Sequence, residues 1–190
     1  MEISELSDFY LVGGTGLSLL YWHRISKDLD LFSNQPFEND EIINGLKVKY
    51  KEKFEYRSTN LNFGIFEFVE GVKVDLVFFT HPLIKPTIEI HGIRVFSIED
   101  IIAMNVQAVL GRAKKKDFWD IAEQLQHFSL ADFIQFHKQK YATQNLIITV
   151  PQAITYFADA EETPDPISLK GQTWETIKQI IGKKVSEYLL

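Results

Sequence analysis

The chain has no cysteine in its 190 residues. Disulfides and thiolate metal sites are therefore excluded, and a reducing, cytoplasmic setting is expected. Long apolar runs are missing as well. The richest stretch, Leu17 to Trp22, is interrupted by Ser18 and flanked by Gly16 and Thr15. A bilayer span needs about 20 apolar residues, so no membrane partner is expected. The start, Met1-Glu2-Ile3-Ser4-Glu5, lacks the basic region of a signal peptide. An excess of basic charge is also absent. With 20 Lys and Arg against 26 Asp and Glu, the formal net charge is −6. That argues against a surface coated in positive charge for general nucleic-acid binding. What is plentiful is core material, at 45% hydrophobic and 13% aromatic residues. A disordered chain is excluded on that composition.

The pattern along the chain changes once. Phe9 to Val12 is a short apolar run ending at Gly13-Gly14, which predicts a buried strand. Thr15 is then expected to cap a helix through Trp22. Leu29 to Phe32 predicts a second strand, and Asp40 to Tyr50 a helix. Phe54 and Tyr56 alternate with Glu55 and Arg57. Asn62 to Val69 and Val72 to Phe79 read as a hairpin about Gly71, and Thr87 to Ile90 and Ile93 to Phe96 as another about His91-Gly92. From Ser97 the period is helical. Ser97-Ile98-Glu99-Asp100 resembles a capping box, and Gly111 is a natural stop. Further helices are expected over Lys116 to Phe128, Ser129 to Tyr141, Thr143 to Phe157 and Thr173 to Leu190. The fold class is thus α+β, a mixed core over residues 1–97 followed by a C-terminal helical bundle over 98–190.

Three features could carry chemistry. Val12-Gly13-Gly14-Thr15 is a strand ending in two glycines before a helix. Such a turn lets backbone N–H groups approach a phosphate at a helix N-terminus, although it also serves as an ordinary connection. Asp28-Leu29-Asp30 presents two carboxylates on one side of a strand, an arrangement that hard cations such as Mg²⁺ satisfy and that a solvated strand end also produces. Asp75 lies in the apolar run Val72 to Phe79 and needs a metal, a base or a hydrogen-bond network, with Lys73 an available partner. A glycine turn, an Asp-x-Asp pair and a third Asp on a later strand are together what two-metal phosphoryl transfer requires. A local basic patch, Arg112 with Lys114, Lys115 and Lys116, precedes Asp117 and Asp120, one turn apart on a helix. It is a candidate for phosphate or RNA contact. The five histidines show no metal-ligand spacing. Trp22, Trp119 and Trp174 read as core anchors.

The stretch from Phe9 to Leu19, through His23-Arg24-Ile25-Ser26-Lys27-Asp28-Leu29-Asp30-Leu31-Phe32, resembles the signature of the AbiEii/AbiGii toxin family of nucleotidyltransferases. Val72 to Asp75, Ser97 to Met104 and Gly111 to Asp120 resemble its later motifs, so the likeness spans residues 8 to 125. The resemblance implies a DNA-polymerase-β-like core that moves a nucleotide from an NTP to a hydroxyl with Mg²⁺ (or Mn²⁺). It also implies an RNA acceptor such as a tRNA 3′ end, and the toxin role in a toxin–antitoxin, abortive-infection pair with a cognate antitoxin. Gly13, Gly14 and Thr15 would hold the triphosphate, with the Thr15 hydroxyl toward phosphate. Arg24 and Ser26 would stand beside it, with Lys115 and Lys116 as further nucleotide contacts. Asp28, Asp30 and Asp75 would be the catalytic metal carboxylates, and Asp117 and Asp120 acids closing the site.

Asn105 departs from this pattern, standing where many relatives carry a lysine. Two alternatives to an RNA-directed transferase stay open, the first of them resting on Asn105. One is a catalytically impaired nucleotide- or partner-binding member. The other is a small-molecule (antibiotic) nucleotidyltransferase.

Overall fold

Strand β1 (Tyr10–Val12) is three residues long, and the turn that ends it begins a helix at once, because Gly13 has φ +64°. Helix α1 (Gly13–Tyr21) therefore starts two residues before Thr15, which lies inside the first turn and is not its cap. The computed structural model describes residues 3–56 and 64–190. Met1, Glu2, Arg57 and the Asn62-Phe63 start of an expected strand lie outside the described residues.

The remaining elements are β2 (Leu29–Ser33), α2 (Asn39–Tyr50), β3 (Phe54–Glu55), β4 (Gly64–Val69), β5 (Val72–Phe78), β6 (Ile88–Ile90), β7 (Ile93–Val95), α3 (Ile98–Gly111), α4 (Lys115–Gln124), α5 (Leu130–Lys140), α6 (Val150–Thr155) and α7 (Trp174–Leu189). The strands form one mixed sheet in the order β3-β4-β5-β2-β1-β7-β6. β2 runs antiparallel to β1 and parallel to β5. Both two-residue hairpins close as the sequence predicts. Glu70 and Gly71 have φ 53° and 77°, His91 and Gly92 49° and 79°, the backbone that matches the twist of paired strands.

The chain divides into two compact units that interleave rather than meet at one boundary. The sheet unit takes residues 1–16, 26–82 and 87–96; the helical unit takes 17–25, 83–86 and 97–190. In the sheet unit Leu11, Val12, Leu31, Leu76 and Val95 are buried with Ile42, Ile43 and Leu46 of α2. Each such side chain contributes about 1.5–3 kcal/mol of burial. In the helical unit Ile102, Val106, Phe118, Trp119, Ile121, Phe133, Ile154, Ile177 and Ile181 make the core. Trp119 and Trp174 stack at 5.8 Å.

Several helix ends follow their caps. Ser97, Ser129 and Thr173 each accept a backbone N–H at the start of α3, α5 and α7. Two expectations fail. The helix expected over Thr143 to Phe157 is only α6, since Thr149 caps at residue 149 with Pro151 just inside, and Ile147 before it is fully exposed. Trp22 is no core anchor. It is 69% exposed, at φ 50° just beyond α1.

Candidate active site

The sheet unit brings three of the expected features together. Antiparallel register sets Asp30 opposite Val12 of β1, next to the Gly13 turn. Parallel register sets Asp30 beside Asp75 of β5. Both acids project to one face of adjacent strands, while Leu29, Leu31, Val74 and Leu76 alternate to the other. A Cβ on Gly13 would lie 2.8 Å from Asp30 Oδ2. Glycine at position 13 therefore supplies both the positive φ and the room for that carboxylate. The first turn of α1 adds backbone N–H groups without intrahelical partners, and the positive end of the helix dipole.

Thr15, expected to turn its hydroxyl toward phosphate, is engaged with the chain entering β2. Its hydroxyl donates to the Asp28 carbonyl at 2.5 Å and lies 2.9 Å from the Ser26 hydroxyl. It pins the chain entering β2 against α1, which fixes where Asp28 and Asp30 begin. Thr15 and Ser26 are thus positioning groups around the turn.

Asp75 has two unlike oxygens. Its Oδ2 accepts from Lys73 Nζ, two residues earlier on the same face of β5. Its Oδ1 is buried and has no hydrogen-bond partner among the described residues. Such an atom, beside a second carboxylate, fits a hard divalent cation, whose ligands are oxygens. Among the described residues no group of three or more His, Asp or Glu side chains stands ready around one ion. The acids therefore form a pair on β2 and β5, with Asp28 one residue before β2.

The helical unit answers for the other candidates, and most of them are engaged with one another. Arg24 Nε and Nη2 donate to Asp120 Oδ1 and Oδ2 at 2.7 and 2.6 Å. His23 Nε2 lies 2.7 Å from Asp120 Oδ1. All three residues are at most 3% exposed. Burial alone would raise the Asp120 carboxyl, but Arg24 and His23 outweigh it and hold it below its ordinary value. Arg24, expected beside the triphosphate, and Asp120, expected to close the site, are engaged with each other as a buried bidentate pair. Asp117 is a helix cap. It accepts from the Lys114 backbone N–H at 3.0 Å and pairs with Arg112 at 2.9 Å. Lys115 is held by Asp165 at 2.8 Å and lies 5.6 Å from the Trp174 ring. Lys116 is half-buried. Two members of the expected basic patch, Arg112 and Lys115, are thus each held by an acid.

Asn105 is buried, and its amide donates to Gln124 Oε1 at 3.1 Å. An uncharged pair fills the place where a lysine was expected. The sequence reading missed Glu123, which is buried on α4 and binds Lys170 at 2.7 Å and His127 at 3.0 Å. Its spacing of three from Asp120 was the available signal.

A mixed sheet, a glycine turn opening a helix and acids side by side on adjacent strands define a core of the nucleotidyltransferase type. Comparison with known proteins carries this to a family. Residues 3–179 match the model of the nucleotidyl transferase AbiEii toxin, type IV toxin–antitoxin system, and the chain belongs to that family of nucleotidyltransferases. It is 29% identical over 196 residues to the uncharacterized protein aq_aa25 of Aquifex aeolicus, covering 100% of this chain and 92% of that one. The fold is similar to MenT4, a nucleotidyltransferase toxin of Mycobacterium tuberculosis, at TM-score 0.62 and 13% identity, over 94% of this chain and 74% of that one. It is also similar to JHP933 of Helicobacter pylori, at TM-score 0.57 and 18% identity, over 95% and 83% of the two chains.

Proposed function

We propose that the protein transfers a nucleoside monophosphate from an NTP to a hydroxyl of an RNA acceptor, such as a tRNA, with Mg²⁺ or Mn²⁺. It would act in the cytoplasm as the toxin of an abortive-infection pair with a cognate antitoxin. The observation that carries this reading is Asp75 Oδ1, which has no hydrogen-bond partner among the described residues and is set beside Asp30 and the Gly13 turn. Asp28, Asp30 and Asp75 would hold the divalent ion. When bound, such an ion neutralises triphosphate charge and lowers the pKa of a coordinated hydroxyl.

This chain's own groups do the rest. Gly13 and Gly14 let backbone N–H groups of α1 face the triphosphate. The acceptor oxygen forms a bond to the α-phosphorus as the bond to the bridging oxygen breaks. Pyrophosphate leaves, and the hydroxyl proton passes to solvent water. Lys73 keeps the second oxygen of Asp75 oriented.

The test is transfer of labelled nucleotide from each of the four NTPs into bulk tRNA, with and without Mg²⁺. Equal background labelling by wild type and Asp30→Ala across all four would sink the reading.

One observation favours a second reading, a nucleotide-binding member that has lost turnover. The Asn105–Gln124 pair is uncharged at the position where the family resemblance leads one to expect a lysine. In that case the wild type binds NTP and labels nothing.

A further inference from the structure

The sequence between Lys47 and Lys53 holds four lysines against one acid, Glu52, in a chain whose net charge is −6. These residues form the last turn of α2 and the short 3-10 turn that leads into β3, the edge strand of the sheet. Lys47, Lys49, Lys51 and Lys53 are all exposed. Lys53 pairs with Glu70 at 2.5 Å. Lys47 Nζ lies 4.7 Å from the ring of Tyr56, which is itself 37% exposed. The patch thus alternates cations with an accessible aromatic face.

A helix C-terminus favours basic side chains, which accounts for Lys47 and Lys49. It does not account for Lys51. That residue stops α2 at φ 50°, ψ −125°, where glycine is the unstrained choice. The chain keeps a lysine where its backbone is strained by having a side chain.

We propose that the Lys47–Lys53 turn is a docking surface for the phosphodiester backbone of RNA, with an unpaired base stacking on Tyr56. Charge complementarity selects a polyanion, and the exposed ring selects one with bases. The proposal rests on the reading that the acceptor is an RNA, and gives the sheet unit a hold on that acceptor away from Asp30 and Asp75.

The experiment measures fluorescence anisotropy of a labelled single-stranded RNA and of bulk tRNA, with full-length protein, from 50 to 200 mM salt (roughly the range over which phosphate contacts weaken). Lys51→Gly should keep or raise Tm, since it relieves the strained backbone, and should still weaken RNA binding. Lys47→Gln with Lys51→Gly should weaken binding about tenfold at low salt. It should make the salt slope shallower by about 1.4, at ~0.7 per lost phosphate contact. Tyr56→Ala should weaken single-strand binding about fivefold with little change of slope. Unchanged affinity and slope in the double variant overturn the proposal. So does loss of binding to phosphatidylserine vesicles with RNA binding intact. Nucleotide transfer on the same proteins separates the two readings. A wild type that binds RNA through these lysines yet labels nothing keeps the surface and removes the transferase. A double variant that binds and labels RNA as the wild type does removes the surface alone.

Discussion

Lys73 and Asp75 meet on one face of β5, and the ammonium occupies one of the two Asp75 oxygens. The pair is half-buried, with the lysine side chain 42% and the aspartate 14% exposed. Lys73 therefore balances the charge that Asp75 and its neighbour Asp30 bring together.

That balance gives the first expectation. Lys73→Gln should let Mn²⁺ bind about tenfold tighter, because the cation no longer competes with an ammonium. The metal-free protein should melt lower than wild type, and Mn²⁺ should restore the difference. Electron paramagnetic resonance titration and thermal melts read the two effects. Weaker metal binding by the variant would count against Asp75 as a ligand.

Gly13→Ala tests the turn. At φ +64° an alanine is strained, and its Cβ would lie 2.8 Å from Asp30 Oδ2. A loss of roughly 1–3 kcal/mol is expected from urea unfolding. Nucleotide transfer should fall much further than stability, because Asp30 is displaced. Proportionate losses would reduce the glycine to a folding role.

Asp120 makes an acid-side prediction. Its carboxyl is held below its ordinary value by Arg24 and His23 despite burial. A depressed carboxyl contributes stability that is complete above its unfolded value, roughly pH 4, and is lost as pH falls through the folded value. Unfolding free energies from pH 7 down to 3 should fall steeply below about pH 4. Asp120→Asn should lose roughly 3–5 kcal/mol at neutral pH, because Arg24 is left buried and unmatched. It should also flatten the acid limb. An acid limb of unchanged steepness in the variant would assign the effect elsewhere.

Asn105→Lys separates the two functional readings. The change removes the bond to Gln124, whose amide nitrogen already has no partner among the described residues. It also buries an ammonium, so stability should drop by roughly 1–3 kcal/mol. With NTP and Mg²⁺ the variant should gain more Tm than wild type does, and transfer should rise. Equal ligand shifts in the two proteins would place residue 105 outside the nucleotide site.

What the sequence made legible was local. The strand–turn–helix at Gly13, both positive-φ hairpins and the Ser97, Ser129 and Thr173 caps depend on residues within about four positions. What it hid was pairing across distance. Arg24 and Asp120 are 96 positions apart, and each alone reads as a candidate for the site. The register that sets Asp30 beside Asp75 is likewise a property of the assembled sheet. The misread helix near residue 146 came from the apolar run Leu146-Ile147-Ile148, which lies on the surface. The stronger signal there was Thr149 followed by Pro151 and Gln152, a capping box with proline inside the start.

The interleaving of the two units bears on how the molecule can be cut. The chain leaves the sheet unit after residue 16 and re-enters at residue 26, where the Thr15 hydroxyl closes the neck. The excursion carries His23 and Arg24, whose partner Asp120 comes nearly a hundred residues later. A fragment ending near residue 97 keeps His23 and Arg24 and loses the Asp120 carboxylate that both engage. Any single cut between residues 16 and 97 divides at least one of the two units. Fragment complementation, in which the two halves are co-expressed and recover folding only together, is the behaviour this connectivity imposes.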